Sequence, residues 1–180
     1  MRHEVHYEIL MPVQRPSPLL TGVQFLAAVL LGILLMPAGA HVMEMSSKLA
    51  LPPDQYMTVQ GLYRGWALFG VPVVLALVVT LAHAILLRGN RTARLWAGLS
   101  FLLIATSQVV FWVYTWPMNK LTRNWTVMPD QFEEARRQWE YSHALNAGLT
   151  LLAFVALLVA ILTSRGMALP AQLSGPPARR

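Results

Sequence analysis

Two pairs of an imidazole and a carboxylate interrupt an otherwise apolar sequence. His41-x-x-Glu44 and Glu140-x-x-His143 each place the two side chains three positions apart, which puts them on one face of a helix. Such pairs have three ordinary uses. They ligate a metal, they combine a general base with a carboxylate that orients it, or they lie solvated at the membrane surface, paired with arginines. The choice depends on the elements that position them.

The composition indicates a membrane protein. Of 180 residues, 56% are hydrophobic and only 12% are charged, with a mean hydropathy of +0.48; a soluble domain has roughly 25% charged residues. Four apolar stretches each approach the ~20 residues that cross a bilayer; they cover about 19–41, 66–87, 93–116 and 142–163. The sequence therefore predicts an all-α integral membrane protein, a four-transmembrane-helix up-down bundle with two longer outer loops.

The flanking segments complete the predicted organisation. Residues 1–18 form an N-terminal tail, 19–165 the membrane domain, and 166–180 a Pro/Gly/Arg-rich tail that we predict to be disordered. In the outer loops, Pro53 and Pro129 each precede an aspartate and a run of helix formers, a pattern typical of a first helical turn. We therefore expect short helices leading into the second and fourth spans.

The distribution of basic residues predicts the orientation. Eight lysines and arginines belong to the two tails and the short second loop, against six in the two long loops, and the segment Arg88–Arg94 alone holds three arginines. Because short basic loops stay in the cytoplasm, we predict cytoplasmic termini in the cell (plasma or inner) membrane. This topology also explains the pI of about 10.3, so no nucleic-acid partner is predicted. The chain has no cysteine, which excludes disulfides and thiolate ligands.

An up-down topology gathers distant residues at one membrane level. The first and third spans end on the side where the second and fourth begin, so their outer ends share that level. The polar and aromatic residues brought together there are His41, Glu44, Tyr63, Arg64, Trp66, Trp112, Tyr114, Trp116, Asn119, Trp139, Glu140 and His143. Tyr and Trp also form belts at membrane interfaces without any site. We nevertheless predict that Tyr63, Arg64, Trp116 and Trp139 contact a substrate at the outer end of the bundle.

The two histidines are the strongest candidates for chemistry. His143 begins a polar stripe that continues through Asn146 and Thr150 along one face of an apolar helix. Polar and ionisable groups at membrane depth are costly unless they face the bundle interior, and there they usually mark function. We predict that His41 and His143 share a site, with Asn146 contacting substrate.

A metal centre is an alternative for the same residues. His41, Glu44, Glu140 and His143 supply two imidazoles and two carboxylates, enough for one metal ion. A carboxylate-bridged two-iron site also needs carboxylates from the other helices, and the second and third spans contribute none. A metal- or haem-binding redox protein therefore remains one alternative, and a non-enzymatic assembly or carrier protein another.

Several short motifs resemble those of the anthrone oxygenase-like membrane family. The stretch "FWVYTWPMNKLTRNW" contains Trp116-Pro117-x-Asn119, and "RRQWEYSHALNAGL" contains Trp139-x-x-x-His143. The stretches "AGAHVMEMSSKL" and "QGLYRGW" are similar to members of the same family. The resemblance covers roughly residues 20–163, which is essentially the whole membrane domain.

The resemblance implies a four-helix membrane enzyme that oxidises polycyclic phenolic anthrones to anthraquinones with molecular oxygen, without metal or flavin. Asn119 and His143 match the family pattern best and would be catalytic, with His41 as partner and Trp139 in the pocket. A histidine would remove a proton, and Asn119 or Arg64 would steady the oxyanion. No cofactor is then expected, the substrate is a lipophilic aromatic or quinone-like molecule from the bilayer, and a homodimer is left open.

Overall fold

The described part of the protein is entirely helical. The structure, a computed structural model, describes residues 17–165, so the predictions for residues 1–16 and for the tail 166–180 lie outside the described residues. The α-helices are α1 (Pro18–Leu49), α2 (Pro53–Gln60), α3 (Gly70–Leu86), α4 (Arg91–Val110), α5 (Trp116–Leu121) and α6 (Phe132–Ser164). Two 3₁₀ turns, Gly61–Tyr63 and Trp66–Phe69, lead into α3, and a π-helical turn, Phe111–Thr115, joins α4 to α5.

Four of these helical segments are long and apolar enough to cross a membrane, namely Pro18–Leu49, Trp66–Leu86, Arg91–Leu121 and Phe132–Ser164. α1 and α4 each pack against both α3 and α6, so the four form a bundle in which chain neighbours lie side by side. The predicted four-helix membrane bundle is thereby confirmed. Three of the four segments, Pro18–Leu49, Arg91–Leu121 and Phe132–Ser164, extend beyond the predicted spans, so His41 and His143 lie inside long helices.

Small side chains bring α4 and α6 close together. A seam of alanines is at most 2% exposed and consists of Ala93, Ala97, Ala153, Ala156 and Ala160. The Ser100 hydroxyl donates a hydrogen bond across this seam to the Ala153 carbonyl at 2.8 Å. Because lipid chains are as apolar as leucine, helices in a bilayer associate through such close packing and through hydrogen bonds between them. The seam is therefore a main source of bundle stability.

A polar layer joins three helices at the end of the bundle where α1 begins and α6 ends. Ser164 donates its hydroxyl proton to the Ile161 carbonyl at 2.8 Å, so its oxygen is free to accept from Gln24 Nε2, also at 2.8 Å. The same Gln24 nitrogen lies 3.3 Å from His83 Nε2, and both Gln24 and His83 are almost fully buried. This layer fastens α1, α3 and α6 at one level.

The opposite end, which we call the loop end, has only three full-length helices. The span that contains α3 has 21 residues, whereas the others have 31 to 33. At 1.5 Å per residue these are about 31 Å and about 46–50 Å long. The three longer helices therefore project beyond α3 at the loop end, where α2 and the two 3₁₀ turns cover them. α2 is the short helix predicted before the second span, and α6 continues the fourth span outward without a break.

Enlarging a residue in the alanine seam tests its role. We expect Ala97→Leu and Ala153→Leu each to lower the free energy of unfolding by about 1–3 kcal/mol, because a larger side chain forces the two helices apart. Val109→Leu, at an α4 position that is 61% exposed, is the matched control and should change little. Thermal and denaturant unfolding in detergent measure the difference; equal stability of all three variants would contradict the packing role of the seam.

Candidate functional site

The structure brings the two predicted histidines into direct contact at the loop end. The ring centroids of His41 on α1 and His143 on α6 are 4.1 Å apart, with ring planes inclined by 28°. His41 is 6% exposed and His143 is half-buried. The juxtaposition predicted from up-down topology is therefore present, and it occurs as a face-to-face stack.

Three aromatic rings pack against this histidine pair. Trp139 lies one turn before His143 on α6, and its ring centroid is 4.2 Å from that of His143 and 5.1 Å from that of His41. Tyr63 and Trp66 approach His41 to 4.7 Å and 5.3 Å between centroids. The result is an aromatic box around the pair, formed by Tyr63, Trp66 and Trp139.

The turn between Tyr63 and Trp66 depends on a glycine. Gly65 has a φ of 90°, in the left-handed region that glycine enters without a steric penalty. This residue allows the first 3₁₀ turn to end and the second to start in a new direction. Both aromatic side chains can then contact the same imidazole, so the short connection before α3 supplies one wall of the box.

Unpaired polar atoms accompany the histidine pair. His41 Nδ1 and the side-chain oxygen of Asn146, three positions after His143, are buried and have no hydrogen-bond partner within residues 17–165. Leaving a buried polar group unpaired costs about 1–3 kcal/mol. These atoms are therefore suited to receive a proton from, or hydrogen-bond to, a molecule bound against the pair.

A buried ion pair lies beside the box and links α1 to α6. Lys48 Nζ is 2.9 Å from Glu140 Oε1, and the two side chains are 4% and 0% exposed. The Tyr56 hydroxyl donates to the same carboxylate oxygen at 2.8 Å. The ammonium also lies 4.8 Å and 5.0 Å from the ring centroids of Tyr63 and Trp139, within the range of cation–π attraction. Glu140, whose role the sequence left open, is thus the partner of a buried lysine.

The network continues from Lys48 towards the surface. Lys48 Nζ donates to the Tyr63 hydroxyl at 2.9 Å, and that hydroxyl donates in turn to Glu44 Oε2. The Glu44 side chain is 47% exposed. Burial first, and then the hydrogen bond to Glu44 and the nearby carboxylate charges, raise the pKa of Tyr63 above its ordinary value. The phenol therefore stays protonated at neutral pH.

A second buried cation holds α2 in place. We call α2, the two 3₁₀ turns and the second long loop together the cap of the loop end. Arg136 on α6 is 7% exposed, donates to the Leu51 carbonyl at 2.8 Å, and pairs with Glu133 at 2.6 Å. Its guanidinium lies 5.4 Å from the centre of the Tyr56 ring. Burial first, followed by the charge of Glu140, raises the pKa of Tyr56, so this residue also remains a neutral hydrogen-bond donor. Arg136 thereby fixes α2 over the ion pair.

Strained backbone positions the indole that covers Tyr56. Arg123, Asn124 and Trp125 have φ values of 49°, 54° and 60°, a left-handed run that is uncommon without glycine. The backbone N–H of Trp125 donates to the Thr122 hydroxyl at 3.0 Å, which stabilises this turn. Trp125 is 7% exposed, and its ring lies 5.3 Å from that of Tyr56. The second long loop is therefore a structured part of the cap.

Most of the predicted site residues meet at the histidine pair. Asn119 belongs to the group through Trp139, because its side-chain oxygen accepts a hydrogen bond from the indole nitrogen at 2.8 Å. This bond fixes the ring that contacts both histidines. The predicted residues gathered at or next to the pair are His41, Tyr63, Asn119, Trp139, His143 and Asn146.

Two predicted substrate contacts lie elsewhere. Arg64 is exposed at the turn before Trp66. Trp116 is 36% exposed, and its aromatic neighbours among the described residues are Phe111 and Trp112, in and beside the π-helical turn. The hydrogen bonds of a π-helical turn join residues five apart instead of four, and this wider turn rotates α5 relative to α4. Trp116 therefore lies beside Phe111 and Trp112 at the surface. A regular α-helix through this segment would have given Trp116 a different orientation.

The four predicted metal ligands are not arranged as a ligand set. Within residues 17–165, no group of three or more His, Asp or Glu side chains is placed to hold a metal ion. Imidazole lone pairs lie in the ring plane, so two stacked rings do not aim their nitrogens at one common point. Glu140 is engaged by Lys48 and Glu44 by Tyr63.

Sequence reasoning missed Lys48 and Tyr56. Lys48 follows Glu44 by four positions and His41 by seven, which is the spacing of one helix face. It lies beyond the predicted span 19–41, and no role for a lysine there is predicted from the sequence. No comparable signal identifies Tyr56, because its contact with Glu140 spans 84 residues and depends on how α2 folds back.

Comparisons of the chain with models of protein families, with curated proteins and with solved structures find no match. The resemblance to the anthrone oxygenase-like family therefore stands on the short motifs alone. The function has to be argued from the geometry at the loop end.

Removing one member of the buried ion pair should destabilise the protein. We expect Lys48→Met to lower the free energy of unfolding by about 3–5 kcal/mol, because Glu140 is left charged and buried. Glu140→Gln should cost less, since Lys48 retains Glu44 at 3.9 Å. The double variant should recover part of the loss. Lys120→Met, at an exposed position, is the control. A double variant that is less stable than both single variants would contradict this prediction, and denaturant unfolding in detergent measures it.

Proposed function

We propose that this protein is an integral membrane oxidoreductase of the anthrone oxygenase-like type, acting on a lipophilic phenolic aromatic molecule at the loop end. The observation that supports this proposal is the stacked pair of His41 and His143 against an aromatic box, with a buried His41 Nδ1 that has no hydrogen-bond partner among residues 17–165. An unpaired imidazole nitrogen can act as a base, and the surrounding rings favour a planar aromatic substrate.

The depth of the site suits a substrate that is dissolved in the bilayer. His41 and Gln24 of the polar layer are separated by 17 residues of α1, about 26 Å at 1.5 Å per residue. The hydrocarbon core of a bilayer is roughly 30 Å thick. The two polar layers therefore lie near opposite edges of the hydrocarbon, and a lipophilic ring system with one polar group can reach the histidines from the side.

The reaction requires a base and oxygen and no external electron donor. A histidine removes one proton from the methylene carbon of an anthrone, and the delocalised carbanion adds to O₂. The peroxide anion takes the proton back, which gives a hydroperoxide. The base then removes the second C–H proton while the O–O bond breaks, forming the new carbonyl, and the leaving hydroxide is protonated to water. The sum converts one CH₂ and one O₂ into one C=O and one H₂O.

Each neighbour of the pair has a role in this scheme. Trp139, held by a hydrogen bond to Asn119 at 2.8 Å, packs against both imidazoles and holds them in their stacked position. The Tyr63 and Trp66 rings provide faces on which the substrate rings can stack. The unpaired oxygen of Asn146 can accept a phenolic hydrogen, which would orient the methylene carbon towards His143.

Replacing the base tests the proposal. We expect His41→Gln, which removes the unpaired Nδ1, and His143→Gln each to lower oxygen uptake with anthrone about 10²–10⁴-fold, the usual contribution of a general base, because glutamine retains polarity and cannot accept the proton. Tyr141→Phe is the control, since that side chain is 57% exposed on another face of α6. Unchanged oxygen uptake in both folded histidine variants would remove the base assignment. Stoichiometric metal or a Soret band in the purified protein would instead support the metal or haem alternative.

The same proposal includes a cell-membrane location with cytoplasmic termini. Because the chain has no cysteine, single cysteines report the sidedness of each loop. In intact cells we expect a membrane-impermeant maleimide to label Thr126→Cys in the second long loop. Gly89→Cys, in the short loop, should be labelled only after permeabilisation. Both positions are exposed, and the reverse pattern would invert the predicted orientation.

A further inference from the structure

A continuous hydrogen-bonded chain leads from the buried carboxylate to the surface of the loop end. Lys48 Nζ is 2.9 Å from Glu140 and 2.9 Å from the Tyr63 hydroxyl, and that hydroxyl donates to Glu44. Along this chain the side-chain exposure rises from 0% at Glu140 to 47% at Glu44. The chain thus connects the interior of the bundle with water.

The direction of the hydrogen bonds suits proton transfer. The Tyr63 hydroxyl accepts from Lys48 and donates to Glu44 at the same time, so it can take a proton on one side while releasing one on the other. Because burial and the neighbouring carboxylates raise the pKa of Tyr63, the phenol does not become a trapped phenolate. Tyr63 can therefore pass protons without holding charge.

The histidine pair lies next to the inner part of this chain. The Tyr63 ring is 4.7 Å from His41 between centroids, and the Lys48 ammonium lies over Trp139, the ring that contacts both imidazoles. His41 Nδ1 is buried and has no hydrogen-bond partner within residues 17–165. A single bridging water, which is nearly as effective as a direct hydrogen bond, would join this nitrogen to the chain.

A purely structural role explains only half of the network. The Lys48–Glu140 pair with Tyr56 is sufficient to fasten α1 to α6, since all three groups are buried. The extension through Tyr63 adds no contact between these two helices, because Glu44 and Lys48 belong to the same helix. It holds the turn before α3 against α1, and because it ends on a carboxylate that is 47% exposed, it also adds a route to water.

We propose that Lys48, Tyr63 and Glu44 form a proton path between the His41–His143 pair and the water at the loop end. The path rests on the proposed function, in which the pair holds a substrate proton until the peroxide anion or the leaving hydroxide takes one up; the path lets that proton exchange with water. Through the bridging water the imidazolium proton reaches Lys48 as Lys48 releases one to Tyr63 and Tyr63 releases its own to Glu44. Lys48 and Tyr63 end unchanged, the imidazole becomes neutral, and Glu44 returns its proton to water.

Hydrogen–deuterium exchange of substrate without oxygen tests the path directly. Under anaerobic conditions in D₂O, the base removes a methylene proton of anthrone and returns a deuteron only if it exchanges protons with solvent. We expect the full-length protein in lipid nanodiscs to accelerate this exchange above the uncatalysed rate. Tyr63→Phe, which keeps the ring against His41, and Glu44→Gln should each slow the catalysed exchange at least tenfold. Tyr141→Phe should match the wild type.

Rescue by a small diffusible acid separates a proton path from a structural role. Raising the concentration of an acetate buffer should restore exchange in Tyr63→Phe, because acetic acid can deliver protons that the missing hydroxyl cannot, and it should leave the wild type unchanged. A loss caused by displaced histidines would not respond to buffer. Anthrone binding, followed by fluorescence, should be equal in the two proteins.

The outcomes distinguish the path from the proposed function. Wild-type exchange rates in both Tyr63→Phe and Glu44→Gln would overturn the path and leave the base assignment intact. A Tyr63→Phe loss that acetate does not restore would overturn the path as well. A wild-type protein that does not accelerate exchange, or His41→Gln and His143→Gln variants that both exchange normally, would remove the proposed function and the path together.

Discussion

The arrangement of this bundle depends on one constraint, which is that a polar side chain at membrane depth must be paired inside the protein. Lipid offers no partner for a buried amide, imidazole or ammonium group, so each such group is either hydrogen-bonded between helices or costs several kcal/mol. The polar groups accordingly concentrate in two layers. Gln24, His83 and Ser164 form the first, and the Lys48–Glu140 pair anchors the second. Between them the helices meet mainly through apolar side chains, both large ones such as Leu31 and Ile104 and small ones such as Ala153.

The two layers differ in how completely they are enclosed, and the difference follows from helix length. At the loop end α3 is missing from its corner of the bundle, because its span begins only at Trp66. A short helix and two 3₁₀ turns cover that corner. A loop can present several side chains from different directions to one point, which a straight helix cannot do. Tyr63 and Trp66 reach His41 from this connection, so the truncated helix creates the space in which a site can form.

The stacked histidines and the ion pair support each other. The ion pair fixes the rotation of α1 against α6, and this rotation decides whether His41 faces His143 or lipid. Trp139 belongs to both groups, since its ring lies against the Lys48 ammonium and against both imidazoles. A buried lysine, a buried glutamate and two stacked imidazoles thus lie within one small volume. Clusters of ionisable groups in such enclosed places are typical of functional sites.

The sequence by itself determined that the helices suit an apolar, membrane-like surrounding, how many spans there are, and at which level the histidines meet. These follow from composition, from apolar run length and from up-down topology, and all three are local or additive properties. Only the tertiary structure decided that the two imidazoles stack, that Glu140 pairs with Lys48, and that Trp116 lies on the surface. Each of these depends on the rotation of one helix against another or on a π-helical turn, and a rotation of one residue, about 100°, is enough to change the neighbour of a side chain. A hydropathy pattern does not determine that rotation, because the packing of α1, α4 and α6 sets it.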